Sequence, residues 1–505
     1  MEVYHRDAIS QSPTLQRLGQ FVHEHAQKWT HGTPDFEQFE RELHVHVMAL
    51  ECELVTEELA RYDVTAEQVE VEGVTYRPTL TSPETYLSAA GPVTVTRHLY
   101  RPAGRGSKSI CPLELRAGIV AGYFTPRAAR QAAFVTAQLT PGESATLFDE
   151  LESMQPSRAS LDRLPKELSR HWEKHREEWE TALRTQETIP TEATVMALSV
   201  DGVMIPMKDG AAERTAKQTE PGKHGSGPTG NQEVGCGTVV LYDPEGERVQ
   251  TVRYGRMPES KKVMLQQQLQ AEVASLIALR PDLRRVHLAD GAKDNWRLLN
   301  EIEQALNLPV QPCVNIVDFY HACDHLKNGC DAAWGESTPR GKAEFERLRT
   351  LLKEADQGAD QVIRALKYQR GRAHGHKRQR LETELTYFRN QHPHMDYAEY
   401  LHQGLPIASG VVEAACKTLV TQRMKRSGMA WRPPGGQGIL TLRGLIQSER
   451  WHPAWTFLRA DFRKEVVVHQ ITRVSESAGR TDLCNSHLAR AIPVYVDATV
   501  LPLAI

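Results

Sequence analysis

The sequence predicts an α/β protein built on a mixed sheet flanked by helices, with an all-α insertion and a mainly helical N-terminal region that contains a β-hairpin. Three observations support this prediction. Three apolar strand-like segments follow one another after Thr194, helix and strand signals then alternate as far as Val317, and no further strand signal follows for over a hundred residues. Strands in succession followed by alternating helices and strands are typical of an α/β domain.

The N-terminal half combines helices with one hairpin. Phe36, Phe39, Leu43, Val47 and Leu50 recur at spacings of three and four, which predicts a helical region up to about residue 65. Residues 74–80 and 93–100 are rich in β-branched and aromatic side chains and alternate as half-buried strands do. We therefore expect a β-hairpin after the first helices.

Three short helices are predicted next. Thr125 and Thr140 each precede a proline, and Ser157 precedes a leucine-rich segment, which are usual openings of helices. The arrangement fits a helix-turn-helix reader of DNA and equally a small helical bundle. A polar helical segment around HWEKHREEWETALR then leads to the predicted sheet.

Five strands are predicted in the core, at residues 195–200, 237–242, 249–254, 284–289 and 314–317. Helices are expected at residues 261–279 and around Trp296, Leu299, Ile302 and Leu306. Residues 204–231 are expected to form a loop that stays mobile until something binds it, because residues 211–230 hold no large apolar side chain and several Gly and Pro.

Bulk composition excludes several classes of protein. A chain of 505 residues with 40% hydrophobic and 25% charged residues is too long for one compact domain and too apolar for a disordered chain. Its first residues lack the pattern of a secretion signal, and no 18-residue apolar run occurs, so we expect a cytoplasmic protein that uses no membrane. The cysteines form no C-x-x-C pair, which fits reduced thiols better than a disulfide scaffold or a zinc ribbon, and Cys111 has no nearby partner in the N-terminal half, so we predict no zinc. They are Cys52, Cys111, Cys236, Cys313, Cys323, Cys330, Cys416 and Cys484.

A nucleic-acid partner is not indicated by the net charge of -3, but two local segments are basic. Residues 364–380 contain seven Lys or Arg and no acid, and residues 414–448 are also free of Asp and Glu. Either segment fits a DNA-binding surface or a solvated helix face.

Asp201 and Asp290 have the same sequence context, SVDG and LADG, in which an apolar strand is followed by Asp-Gly. Carboxylates at the ends of neighbouring strands can hold Mg²⁺ together with substrate phosphate oxygens. Asp-Gly is also a common turn dipeptide, so each motif alone fits a simple turn. Glu413, which follows Ser409-Gly410 early in a predicted helix, is the candidate third acid, and an ion pair with Lys417 is its structural alternative.

The ordered set SVDG, LADG, VDFYHACDHL and GLPIASGVVEAACKTLVTQRMKRSGMAW resembles the DDE transposases of the Kra-type insertion sequences, which are related to the Mutator-like group. The resemblance covers residues 195–451 well and the N-terminal half only loosely. It implies an RNase H-like core with a helical insertion before the last acid, and it matches the catalytic, metal-binding triad to Asp201, Asp290 and Glu413. The D-x-x-H signature of the family falls on Asp318 and His321, for which we expect supporting roles.

The resemblance also implies how the chain meets its partners. The helical insertion and the segment after Glu413 are expected beside double-stranded DNA, and the aromatic of the family falls on Trp431, where stacking on an unpaired base and simple burial are both open. The predicted DNA-binding residues are Arg370, Arg372, Lys377, Arg378, Arg380, Lys417, Arg423, Lys425, Arg426 and Trp431.

The resulting hypothesis is a transposase that uses two Mg²⁺ (or Mn²⁺) ions to cut at terminal inverted repeats and join the ends to target DNA, acting as a dimer or higher oligomer in a bacterial nucleoid. The alternatives are a domesticated DNA-binding protein that no longer cuts and a nuclease or resolvase on the same core. The expected regions are residues 1–65, 66–190 (hairpin and DNA-binding helices), 191–320 (first core part), 321–403 (insertion), 404–460 (last core helices) and 461–505 (tail).

Overall fold

A computed structural model describes residues 12–30, 32–102, 108–208, 228–306 and 313–469. The strands are β1 (Gln68–Val71), β2 (Val74–Ser88), β3 (Gly91–Pro102), β4 (Val195–Lys208), β5 (Pro228–Tyr242), β6 (Arg248–Arg256), β7 (Arg284–Ala289), β8 (Val314–Val317) and β9 (Val467–His469). The helices are α1 (Pro13–Lys28), α2 (Phe36–Ala60), α3 (Pro112–Ala117), α4 (Pro126–Gln138), α5 (Pro141–Glu150), α6 (Arg158–Gln186), α7 (Val263–Leu279), α8 (Lys293–Leu306), α9 (Phe319–Trp334), α10 (Pro339–Glu354), α11 (Gly358–Arg372), α12 (Gly375–Gln391), α13 (Tyr397–His402), α14 (Gly410–Ala415), α15 (Gln422–Met424), α16 (Pro433–Gln447) and α17 (Trp451–Phe462).

The central sheet is mixed, as the sequence predicts. Its strand order is β6-β5-β4-β7-β8, in which the pairs β6–β5 and β5–β4 are antiparallel and the pairs β4–β7 and β7–β8 are parallel. Because side chains alternate along a strand, β4 contributes to both faces. Val195 and Ala197 join a core shared with α9 to α13, whereas Met196 and Leu198 pack with α7 and α8. The sheet is therefore covered by helices on both faces, which is an α/β core.

The predicted all-α insertion is present as five helices, α9 to α13, between β8 and α14. In the described part of the chain no strand occurs between Val317 and Val467, which confirms the sequence prediction for this region. None of the described helices is long and apolar enough to cross a membrane.

The prediction of a loop from residue 204 to residue 231 was wrong at both ends. Strand β4 continues to Lys208 and β5 begins at Pro228, so the described parts of this segment are antiparallel partners. The sequence pattern that indicates this continuation of β4 is the alternation of Val203, Ile205 and Met207, of which Ile205 and Met207 are buried. Residues 209–227 lie outside the described residues, so the expected mobility is not tested.

Two further predictions need correction. The third of the three short helices and the polar helix after it are one helix of 29 residues, α6, which contains Pro165 near its start. The segment expected to be a C-terminal tail contributes β9, which pairs with β1 and completes a sheet of order β3-β2-β1-β9. The N-terminal hairpin is therefore tied to the far end of the described chain, and residues 470–505 lie outside it.

Candidate active site

Asp201 and Asp290 lie side by side at one edge of the parallel part of the central sheet. The register pairs Ser199 of β4 with Leu288 of β7, and β7 ends at Ala289. Continuing this register by two residues places Asp290 beside Asp201. The predicted neighbourhood of the two acids follows from this pairing.

The two Asp-Gly motifs nevertheless have different backbones. Gly291 has a φ of +97°, so the chain turns directly after Asp290. Asp201 and Gly202 lie inside β4, paired with Cys236 and Gly235 of β5, so the expectation that a strand ends at Asp201 was wrong. What ends beside Asp201 is its parallel neighbour β7, whose last residue is Ala289.

The Asp201 carboxylate is held by a backbone amide and a thiol. Gly202 N donates to Oδ1 over 2.7 Å, and the Cys416 Sγ donates to Oδ2 over 3.4 Å. Burial raises the pKa of Asp201, and the negative charge of Asp290 raises it further, while these two hydrogen bonds and the Lys262 ammonium oppose the shift. The negative charge of Asp201 is therefore not fully balanced by the cations around it.

Asp290 is oriented by the first turn of α8 and by α12. Its Oδ1 accepts from Ala292 N at 2.9 Å and from Asn295 Nδ2 at 3.2 Å. The Tyr387 hydroxyl donates to the Asp290 carbonyl over 3.3 Å, and burial together with the charges of Asp290 and Asp318 raises the pKa of Tyr387. Helix α12 of the insertion therefore fixes the backbone of the second acid.

Glu413 comes to the same region from a distant part of the sequence. It lies on α14 with an exposed side chain. Burial raises the pKa of Glu413, and the charges of Asp318 and Asp201 add to the shift. The carboxylate of Glu413 is therefore within electrostatic reach of Asp201, as the triad hypothesis requires.

The helix that carries Glu413 changes its hydrogen-bonding pattern immediately after it. Residues Cys416–Thr421 form a π-helical segment between α14 and α15. Short π-helical segments inside helices are rare and occur frequently at functional sites. Buried Arg443 of α16 donates to the carbonyl groups of Thr418 and Leu419, so it satisfies acceptors of this unusual segment.

Asp318 holds the two ends of the insertion together. It is fully buried, caps α9 by accepting from His321 N over 2.6 Å, and also accepts from Ser409 N, the residue before α14. This places Asp318 as a positioning residue for Glu413. The His321 ring is half-buried and lies 5.1 Å from the His325 ring, which itself stacks on Tyr387 at 3.6 Å.

The carboxylates of Asp201, Asp290 and Glu413 do not form a cluster compact enough to hold a single ion. Their oxygens do not all lie within 4.8 Å of one another, although a group that close does occur elsewhere among the described residues. Two ions placed roughly 3.5–4 Å apart need ligands spread over a larger volume. All-carboxylate donors suit hard cations such as Mg²⁺.

Sequence reasoning missed four side chains around the acids: Cys416, Asn295, Tyr387 and Lys262. Cys416 follows Glu413 by three residues, which is one helical turn, and this spacing could have identified it. Tyr387 and Lys262 reach the site through the tertiary fold, and no local motif points to them. The Lys262 Nζ donates to Asn295 Oδ1 over 3.3 Å and so connects α7 with the residue that holds Asp290.

The predicted DNA-binding cations fall into three groups. Arg378, Arg380, Lys417 and Lys425 are exposed. Four others already have partners within the chain: Arg370 with Glu382 at 2.6 Å, Arg372 with the Tyr368 hydroxyl at 2.6 Å, Lys377 with the Ala333 carbonyl at 2.5 Å and Arg426 with Glu143 at 2.6 Å. Arg423 is only 3% exposed and donates to the Thr136 carbonyl, so its position does not fit the expected direct phosphate contact.

Trp431 is half-buried and extends the central sheet. Its backbone pairs with β4 through Trp431 N to Pro206 O at 2.9 Å and Lys208 N to Trp431 O at 2.8 Å. The indole Nε1 donates to the Met424 carbonyl over 2.8 Å. One face of the residue lines a cavity of about 660 Å³ that also receives Lys166, Lys208 and Arg432. Stacking and packing roles are both compatible with this position.

Comparisons with solved structures find distant structural likenesses. A chain of the "Drosophila P element transposase strand transfer complex" is similar at 10% sequence identity and a TM-score of 0.25, over 68% of this chain and 83% of that chain. No family model matches the chain. No curated protein matches it either.

Proposed function

We propose that this protein is a metal-dependent DNA transposase whose catalytic acids are Asp201, Asp290 and Glu413. The observation that carries the proposal is the register of β4 and β7, which sets two half-buried aspartates side by side, with a distant glutamate in electrostatic reach. Carboxylates whose pKa is raised by burial and by neighbouring acids, as in Asp201 and Glu413, are typical of functional sites, because a stable fold alone gains nothing from such repulsion. The SVDG, LADG and VVEAAC motifs that resemble DDE transposases fall on these same acids.

The donor set fits two Mg²⁺ or Mn²⁺ ions. The charge of Asp290 raises the pKa of Asp201, and the charge of Asp201 raises the pKa of Glu413, so these three carboxylates would hold the ions together. Such ions would activate the attacking oxygen and stabilise the leaving oxygen of a phosphodiester. Burial and mutual repulsion favour cation binding here, since a divalent cation relieves both.

The protein's own residues orient these acids. Asn295 and the backbone amide of Ala292, the residue before α8, both donate to Oδ1 of Asp290, and Oδ2 is the oxygen proposed to meet a cation. Asp318 holds the Ser409 amide and thereby fixes the start of the helix that carries Glu413. In the proposed reaction, water attacks the phosphorus at the element end and the P–O3' bond breaks, which leaves a 3'-hydroxyl. That hydroxyl then attacks a target phosphodiester, forming a new P–O bond and releasing a target 3'-oxygen.

DNA contact is proposed on the exposed cations close to the acids. Lys417 follows Glu413 by four residues on the same composite helix, and Lys425 lies directly after the end of that helix at Met424. Arg378 and Arg380 lie on α12, which also holds the Asp290 backbone through Tyr387. Phosphate contacts of this kind make affinity strongly dependent on salt. Because both element ends must be brought together, we further propose a dimer or higher oligomer on DNA.

The test measures cleavage and strand transfer by the full-length protein with Mg²⁺. The substrate is the DNA that flanks the gene, searched for inverted repeats bordered by short direct duplications. Asp201→Asn, Asp290→Asn and Glu413→Gln are each expected to lower cleavage by at least about a thousandfold, the scale that loss of an essential catalytic group produces. Asp294→Asn is the matched control, since Asp294 is exposed on the first turn of α8 and pairs only with Arg297 in the described structure.

Three outcomes discriminate among the functions. Cleavage retained by any one triad variant removes that residue from the catalytic set. A precut end with a free 3'-hydroxyl yields joined products only with a transposase, so cleavage without joining would indicate a nuclease or resolvase. Specific DNA binding without metal-dependent cleavage by the wild-type protein would indicate a domesticated DNA-binding protein.

A further inference from the structure

A group of side chains of the types that bind metals lies among β7, α8 and the start of β8. His287 of β7, Glu303 of α8 and Cys313, directly before β8, each offer one ligand atom, and these atoms all lie within 4.8 Å of one another. Among the residues that the structure describes, this is the one group of three His, Cys, Asp or Glu side chains that meets this spacing. It lies outside the proposed catalytic site and takes no part in it.

The histidine presents a free lone pair towards the group. His287 is 3% exposed, and its Nδ1 lies 3.0 Å from Asn315 Oδ1. An amide oxygen can only accept a hydrogen bond, so the imidazole carries its proton on Nδ1 and has its lone pair on Nε2. The Nε2 atom faces Glu303 Oε2 at 3.8 Å, which is too far for a hydrogen bond. A second ring nitrogen held by a polar partner is the arrangement that metal-binding histidines almost always show.

The glutamate is also held in a way that leaves one oxygen available. Arg285, two residues before His287 on β7, pairs with Glu303 Oε1 at 2.9 Å. Glu303 Oε2 is therefore the oxygen that points to His287. Nitrogen and oxygen donors that share one tetrahedral zinc ion at ~2.0–2.2 Å are separated by about 3.3–3.5 Å, so the Nε2 to Oε2 distance of 3.8 Å needs only a small side-chain shift to accept the ion.

We propose that His287, Glu303 and Cys313 bind one Zn²⁺ ion, with water as the remaining ligand. The imidazole, thiolate and carboxylate together form a borderline-soft donor set that suits Zn²⁺ and not the hard Mg²⁺ ion. This departs from the absence of zinc expected from the sequence, because the three residues follow no zinc-motif spacing and meet only in the fold. The ion connects β7, α8 and β8, and so braces the strand that ends at Asp290.

The test uses full-length protein purified without a histidine tag or chelator. Metal analysis is expected to find about one zinc per chain, and replacement by Co²⁺ is expected to give the near-ultraviolet absorption of a thiolate–cobalt bond. Cys313→Ser is expected to abolish that absorption and to weaken Zn²⁺ binding by more than about tenfold. Zn²⁺ is expected to raise the Tm of the wild-type protein and not that of Cys313→Ser.

Matched variants separate this site from other thiols. Cys52→Ser and Cys416→Ser should keep the cobalt absorption, since Cys52 lies in α2 and Cys416 lies beside Asp201. Asp201→Asn should also keep the cobalt absorption. The zinc proposal and the transposase proposal are therefore tested independently, and either can fail without the other. The proposal is overturned if the wild-type protein with added Co²⁺ shows no thiolate band, or if Cys313→Ser retains it. His287→Gln is the second ligand variant, and its near-ultraviolet circular dichroism reports whether it folds.

Discussion

Glu272 and Asp201 are both carboxylates next to the central sheet, but the charges around them are opposite. Glu272 is 2% exposed, and the Arg450 guanidinium donates to both of its oxygens, at 2.7 and 3.0 Å, while the Tyr254 hydroxyl donates at 2.6 Å. Asp201 has Asp290 and Glu413 as charged neighbours and only the more distant Lys262 as a cation. The fold therefore neutralises the charge of Glu272 with an arginine. It leaves the charge of Asp201 without such a partner, as expected for a carboxylate that binds a metal cation.

The largest expected effect is a loss of stability when Arg450, the partner of Glu272, is replaced. Arg450→Met leaves Glu272 and Glu187 without their shared guanidinium, and Arg450 joins the end of α6, helix α7 and the start of α17. Removing one partner of a buried ion pair costs about 3–5 kcal/mol because the remaining charge stays buried. Urea unfolding is expected to show a loss of that size.

The control for this substitution is Arg459→Met on the exposed side of α17. It makes the same change of side chain in the helix that follows Arg450 without touching the Glu272 network, so a change below about 0.5 kcal/mol is expected. Equal losses in the two variants would mean that Arg450 acts through packing or helix propensity and not through neutralisation.

Substitutions of Asp201 and Glu413 are expected to change the stability in the opposite direction, that is, to increase it. The folded-state pKa values of Asp201 and Glu413 are raised, so their contribution to stability is present below the ordinary carboxyl pKa and is lost as the pH rises through the raised values. At pH 7 and without divalent cations, Asp201→Asn and Glu413→Gln are therefore expected to raise the Tm. The gain is expected to disappear near pH 4.

Added Mg²⁺ should reverse the order of stability between the wild-type protein and the Asp201 and Glu413 variants. At concentrations ten to a hundred times its Kd, it should stabilise the wild-type protein by about 1–3 kcal/mol and either variant by much less. Thermal unfolding at several pH values with and without Mg²⁺ measures both effects. Variants that are less stable than the wild type at pH 7 without cations would show that these carboxylates serve the fold.

The comparison also shows what the sequence can predict. Apolar alternation and helical periodicity predicted the mixed sheet, because both depend on local patterns of burial, whereas the helical insertion was implied by the family resemblance and by the lack of strand signals after Val317. The same patterns missed the continuation of β4 past Asp201, since an Asp-Gly pair is as common in turns as it is acceptable in a strand. The turn preference of Asp201-Gly202 led to the prediction of a loop, although the alternation of Val203, Ile205 and Met207 directly after it indicated a strand.

Side chains around the acids were harder to predict than the acids. Asp201, Asp290 and Glu413 stand in motifs, but Tyr387 and Lys262 come from helices whose positions depend on tertiary packing. The burial of Arg423 was equally hidden, because its neighbours Lys425 and Arg426 in the sequence are exposed. Such facts depend on which face of the composite helix contacts α4, and a basic sequence alone does not contain that information.

The smallest expected effect concerns Cys416, whose thiol distinguishes the surroundings of Asp201 from those of every other carboxylate compared above. The hydrogen bond from its Sγ favours the ionised form of Asp201 and so lowers the pKa of that acid. Cys416→Ala removes the donor, so the pKa of Asp201 should rise and Mg²⁺ affinity should fall by about tenfold, as for other partners of metal ligands. Cys416→Ser keeps a donor and should restore most of the affinity. The decisive measurement is the pH profile of metal-dependent cleavage, whose acidic limb should move to higher pH in the alanine variant alone. A uniform loss of rate with an unmoved limb would show that the thiol only fills space beneath the helix of Glu413.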